Sequence, residues 1–310
     1  MREMDKAAAS APGKVILFGE HFVVHGTPAI VSSIGLRAKV EASKISEEAV
    51  LLEGFGDENP AVIASKYILR KTGCRTGLSL RISSEIPQSV GLGSSAAVAV
   101  ASAAAALMAC SKALDSSLVL EAAHEGEKVV HYTPSGIDTS VATYGGAGVF
   151  SRDEGYTQVD FDLEYLLILN TGKLRRTGDL VRKVKEFADK NPNRFKEISE
   201  EASRIVQEAL EALEKGDLPY LGKLMNRNQA LLREIGVSSP ELEDAISALL
   251  KAGAYGAKLT GAGGGGCAIA IADYASLDEI IHKLSVSGYS VIKARLVVEG
   301  VRAEPLSSPP

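Results

Sequence analysis

Basic residues are not in surplus: Lys plus Arg number 34 against 39 Asp plus Glu, a net charge of −5. Nucleic acid and anionic membrane surfaces both call for a basic excess, so neither is expected as the main partner. A local basic pocket for a small anionic ligand stays open. Cysteine is sparse. Cys74, Cys110 and Cys267 lack metal-ligand spacing, and an odd count cannot complete a disulfide framework. A reducing, cytoplasmic setting is therefore expected. Met1–Ser10 carries Glu3, Asp5 and Lys6 and no apolar stretch of signal-peptide type. Long hydrophobic runs are missing too. The longest, Ala96–Cys110, is alanine-rich, interrupted by Ser102, and shorter than the ~20 residues that span a bilayer. It reads as a buried helix.

What is present is an ordinary globular composition, 45% apolar and 24% charged, with enough material for a sizeable core. Lys14–Phe18 is a short apolar segment after Pro12-Gly13, and Thr27–Ile34 is a second. Leu36, Ala38, Val40 and Ala42 alternate with polar residues, as in a half-buried strand, and Leu78, Leu80 and Ile82 repeat the pattern. Helices are expected over about 60–71, from about Ser94, and over about 116–131. Beyond the polar stretch Ser151–Gln158 the texture changes. Leu166–Leu169 reads as a buried strand, and three or four amphipathic helices fill about 179–251. Asn191-Pro192, Gly216-Asp217 and Ser238-Ser239-Pro240 punctuate them. The strand Cys267–Ile271, a helix and the strand Ser290–Val298 follow, and the tail from Arg302 is expected to be loose. The boundary falls near 151–165, giving units of 1–160 and 161–310.

Three glycine-centred segments carry the chemistry. The most informative is Pro87-Gln88-Ser89-Val90-Gly91-Leu92-Gly93-Ser94-Ser95-Ala96, set between a strand and a strong helix. Glycine lets backbone approach a ligand, and the first helical turn offers unpaired N–H groups to phosphate. A side chain at Gly93 would stand where phosphate must approach. No Gly-Lys-Ser/Thr follows, so this is not a Walker A loop. Taken alone, the segment serves equally as a helix cap after a glycine turn.

The second segment runs from Pro12 through Gly19-Glu20-His21 to Gly26. His21 and His25 have the spacing of a helical metal site, but Gly19, Gly26 and Val23-Val24 argue against a helix. Glu20 and His21 are better suited to hold a polar substrate, with a hydrogen-bonded turn as the plain alternative. The third, Lys258 to Cys267, holds the run Gly263–Gly266 between two apolar segments, where a flexible linker has no use. Packing of its backbone on a ligand or on the other glycine loop is expected.

In this order, the three segments resemble the signature motifs of the GHMP kinase superfamily, and Pro12–Gly26 is most similar to its mevalonate kinase branch. The likeness spans the chain. It implies an α+β, two-domain fold: an N-terminal α/β domain with the glycine-rich phosphate loop, a C-terminal α+β domain, and an active site in the cleft. A fourth segment, Gly126–Asp138, is similar to the stretch that bears a metal-binding glutamate and a catalytic aspartate in that branch. Glu127 and Asp138 stand at the matching positions. His131 is read as structural. The resemblance further implies ATP-dependent phosphorylation of the C5 hydroxyl of mevalonate, with Mg²⁺ as cofactor. ATP and mevalonate would be the partners, and a homodimer is the assembly to consider.

Phosphoryl transfer needs a cradle for the triphosphate, a cation to offset charge, and an oriented nucleophile. Amides of Gly91, Leu92, Gly93, Ser94, Ser95 and Ala96 would form the cradle. Ser95 and Glu127 would hold Mg²⁺, a hard cation content with few protein oxygens. Asp138 would accept or orient the hydroxyl proton, and Lys14 would pair with it and stabilise charge on the transferred group. Glu20 and His21 match substrate-pocket residues of the family. Thr177 looks like its substrate-loop threonine, although the stretch departs from the pattern around Leu174 and Gly178; Arg175 or Arg176 would suit a carboxylate. The alternatives are phosphomevalonate kinase or a decarboxylating relative, and a non-enzymatic ligand sensor on the same fold. The retained Lys14, Glu20, His21, Glu127 and Asp138 weigh against both.

Overall fold

The alternating residues near the N-terminus build longer strands than their apolar cores suggest. The structure, a computed structural model, describes residues 5–111, 113–130, 136–173 and 177–306. β1 (Lys6–Phe18) pairs antiparallel with β2 (Ala29–Ile45), which runs unbroken through Gly35 where the sequence pattern suggests two segments. The halves of β2 serve different neighbours. Ala38–Ile45 pairs with β4 (Gly77–Ser84), while Ala29–Ser32 pairs with β5 (Ala147–Ser151), which forms a hairpin with β6 (Gly155–Val159). β3 (Val50–Leu52) lies parallel to β4, with helix α1 (Pro60–Thr72) as the crossover. Asn59 caps α1 by accepting from Ala61 N, and Pro60 occupies its first turn, where a missing N–H costs nothing.

Helix α2 (Ser94–Ser111) fills the middle of this half. Apolar on all sides, it belongs in an interior, and its alanines at 96, 97, 99, 101, 103–106 and 109 are buried. Small side chains let it sit close to β1, β2, α1 and α3 (Ser116–Val130) at once. No described helix is long and apolar enough to cross a membrane.

The second sheet has the order β10-β7-β9-β8, all antiparallel: β7 (Tyr165–Asn170), β8 (Gly256–Leu259), β9 (Cys267–Ile271) and β10 (Ser290–Arg295). Helices α5 (Thr177–Lys190), α6 (Pro192–Glu214), α7 (Leu218–Glu234) and α8 (Pro240–Ala252) occupy the stretch read as amphipathic, and α9 (Leu277–Val286) follows β9. Asp217 and Ser239 cap α7 and α8 through Tyr220 N and Leu242 N. One continuous apolar cluster runs through both sheets, joining Val15 and Leu92 to Leu166, Ile168 and Ile269.

Two expectations are corrected. The start of the tail is not loose: β11 (Arg302–Glu304) adds to the first sheet beside β1, with Ala8 opposite Glu304, while 307–310 lie outside the described residues. Arg37 anchors it, donating to Ser10 Oγ (2.7 Å), Glu299 O (2.8 Å) and Gly300 O (2.6 Å). A three-residue strand carries no readable alternation. Cysteine also behaves differently. Cys74 and Cys110 form a disulfide that joins the end of α1 to the end of α2, and Cys267 is buried and lies outside it. The odd count concealed a pair that packed helices bring together, so cysteine usage no longer argues for a reducing setting.

Candidate active site

The register of β1 against β2 shifts between Pro12 and Gly13, and such irregularities re-aim the side chains beyond them. Lys14 follows directly. Its amide donates to Leu92 O (2.9 Å), so the strand is bonded to the glycine loop, and its ammonium lies 3.0 Å from Asp138 Oδ1. Lys14 is buried, whereas 33% of the Asp138 side chain is exposed. Asp138 sits in the first turn of α4 (Ile137–Tyr144), which begins at Gly136 and has no side-chain cap. The aspartate is therefore engaged with Lys14 rather than spent as a cap, and the helix N-terminus favours its charge.

Ser95, in the first turn of α2, donates to Glu127 Oε1 at 2.5 Å. Glu127 lies on α3 and is buried. Burial pushes its carboxyl up to about 7; Ser95 and Lys14 oppose the rise and Asp138 adds to it. Four predicted residues on four separate elements thus meet beside the glycine loop. Within that loop Gly91, Leu92 and Ala96 are buried, with the Leu92 side chain in the core, so it offers backbone alone. Gly93, Ser94 and Ser95 are partly open.

The glycine run of the third segment is a packing device. A β-carbon at Gly266 would come within 2.5 Å of Val90 O, and one at Gly263 within 2.1 Å of Val237 O. Gly266 N donates to Lys173 O (2.9 Å). The run thus braces the residue just before Gly91, the backbone of the third segment supporting the loop at 87–96.

Glu20 and His21 are placed differently. The Glu20 carboxylate is wholly buried against Lys258, and burial holds its pKa above the usual carboxylate range. Lys14 reaches it only as a weaker charge. His21 Nε2 lies 2.9 Å from Ala262 O; a carbonyl only accepts, so this nitrogen carries the proton. Thr177 opens α5, while Leu174, Arg175, Arg176 and His131 lie outside the described residues. Not found from sequence are Lys258 and Thr260 as partners of the Pro12–Gly26 segment, through Glu20 and Ile16. The available signal was a lysine inside an otherwise apolar strand, Ala257-Lys258-Leu259.

A family model described as the GHMP kinases N terminal domain matches residues 59–146, and one described as GHMP kinases C terminal matches 209–290. Mevalonate kinase of Aeropyrum pernix is 38% identical, over 96% of this chain and 98% of that protein. Among solved structures, L. major mevalonate kinase in complex with R-mevalonate superposes with a TM-score of 0.83 at 33% identity, covering 94% of this chain and 95% of that one. Methanococcus jannaschii mevalonate kinase gives 0.84 at 28%, covering 96% and 100%.

Proposed function

Since the chain belongs to the GHMP kinases, we propose that it transfers the terminal phosphoryl group of ATP to the C5 hydroxyl of mevalonate. The observation that carries this reading is the Lys14–Asp138 pair beside the opening of α2, next to Ser95 and Glu127. The similar proteins named mevalonate kinase supply the substrate.

In this mechanism the partly open loop at Gly93, Ser94 and Ser95, at a helix N-terminus, cradles the phosphates with its backbone. Lys14 holds Asp138 through Oδ1, which leaves the second carboxylate oxygen to orient the C5 hydroxyl and take its proton as the O–P bond forms. The same ammonium offsets charge on the transferred group. His21, fixed by Ala262, and Thr177 are the proposed substrate contacts.

The residues fit a magnesium ion. Glu127 is a buried carboxylate with its charge disfavoured by burial and by Asp138, a setting that an added cation relieves. Ser95 and Glu127 would hold Mg²⁺ through hard oxygen donors. Phosphates and water would complete the coordination. When bound, the ion neutralises phosphate charge.

A division into units of 1–160 and 161–310 belongs to the same proposal, as do a homodimeric assembly and a cytoplasmic, ATP-supplied setting. The deciding experiment is ADP release with mevalonate, phosphomevalonate, homoserine and galactose, with and without excess chelator. Release with mevalonate alone, abolished by chelator, is expected. Release with another acceptor only would overturn the substrate assignment, and full activity in chelator would overturn the metal.

A further inference from the structure

The Pro12–Gly26 segment is fastened to the third by contacts from residues 258, 260 and 262. Lys258 pairs with Glu20, Thr260 bonds Ile16, and Ala262 O accepts from His21. Lys258 and Thr260 lie two apart and share a face of the extended backbone, and the turn at Gly261-Ala262 brings Ala262 O to the same neighbour, so the 258–262 segment holds the end of β1 and the turn after it. Thr260 Oγ1 accepts from Ile16 N and donates to Ile16 O, both at 3.0 Å. The segment itself is rigidly mounted. β8 is an edge strand, and α7 covers that edge with Asn226 Oδ1 on Ala257 N and Gln229 Oε1 on Leu259 N.

The Lys258–Glu20 pair is the unexpected member. Both side chains are shut away from solvent, and Lys258 Nζ also donates to Leu259 O (2.7 Å). Burial works against both charges, each opposed by the attraction of the other. Glu20 Oε2 is buried with no hydrogen-bond partner. A buried ion pair of this kind is commonly matched or exceeded in stability by two apolar side chains. Stability alone is a weak reason for its presence. Its location supplies a stronger one: the next residue, His21, has φ +64°, which a side chain adopts only when its surroundings over-determine the backbone.

We propose that Lys258 is a positioning residue: its pair with Glu20 fixes the Gly19–His21 turn so that His21 is presented to the alcohol substrate. The proposal rests on the phosphotransfer reading above. Glu20 then acts through the turn it holds, not by touching substrate.

The test compares wild type, Lys258→Met and the double variant Glu20→Gln/Lys258→Met by thermal melting and steady-state kinetics. Lys258→Met alone should lower Tm by about 5–10 °C, since it leaves a buried carboxylate without its partner. The double variant, lacking both charges, should recover most of that loss. Its KM for mevalonate should nevertheless stay raised by about tenfold or more, with KM for ATP within about twofold of wild type. Recovery of both Tm and mevalonate KM would overturn the proposal, as would equal rises in the two KM values. If the double variant does not fold, Lys258→Gln keeps a neutral donor and is held to the same selective KM change. A wild-type protein inactive on mevalonate would fail the functional reading itself, and the positioning role would fall with it.

Discussion

Gly93 and Lys14 pack so closely that a β-carbon on residue 93 would come within 2.9 Å of the lysine Cγ. Gly93 also has φ +73°, which side chains resist. From sequence, a side chain here is an obstacle to phosphate; in the structure it also displaces Lys14. Gly93→Val should therefore lose turnover at saturating ATP, by about 100-fold or more, as well as ATP affinity. Calorimetry alongside kinetics separates the two losses, and turnover near wild type in the folded variant would count against the geometry.

Asp138→Asn keeps the shape but removes the charge that meets Lys14. A fall in kcat on the order of 10²-fold or more is expected, with ATP binding little changed. Lys14→Met should also lower kcat, and the double variant should be hardly worse than the poorer single one, because groups acting as a unit are non-additive. Multiplicative losses would break the coupling; near-normal Asp138→Asn would remove the proposed catalytic residue.

Glu127 should leave a mark on stability. Its carboxyl titrates near the ordinary 4.5 when unfolded and near about 7 when folded. Between those values the folded protein holds a proton that the unfolded chain has lost, so this group's contribution falls as pH rises across the window and is level above it. The full drop is roughly 3 kcal/mol. Glu127→Gln lacks this titration. Its stability relative to wild type, from denaturant melts of the ligand-free protein, should grow between pH 5 and 8; parallel curves would contradict the burial argument.

The Cys74–Cys110 bridge closes a loop across 36 residues of sequence. Chain-entropy arguments give about 3–4 kcal/mol for a loop of that length. Calorimetry of the Cys74→Ser variant against oxidised wild type should show that loss, while kcat at 25 °C stays within about twofold because neither cysteine belongs to the site. A variant as stable as wild type would show that the bridge contributes nothing.

The long elements were legible because a long apolar run or a sustained helical period leaves a readable pattern. The buried alanine helix at Ser94–Ser111 and the four amphipathic helices between Thr177 and Ala252 stand close to where the pattern put them. β3, β6 and β11 are too short or too exposed to show an alternating face. In the candidate site, motif resemblance singled out Lys14, Ser95, Glu127 and Asp138, which the fold brings together, but not the direction of Glu20. That direction is set by Lys258, which lies 238 positions away in sequence. Local spacing contains no trace of so distant a partner.

The addition of β11 beside β1 has a consequence for synthesis. A ribosome makes Ala8 early and Glu304 nearly three hundred residues later, yet the two are neighbours across one sheet. Until residue 304 has emerged, β1 presents an open edge ready to pair with another chain. Contacts of such wide separation also slow folding, because loop closure must precede them. A chain cut back to residue 300 would keep Lys14, Ser95, Glu127 and Asp138 and still carry that exposed edge for its whole life, so its first failing should be self-association, ahead of any loss of chemistry.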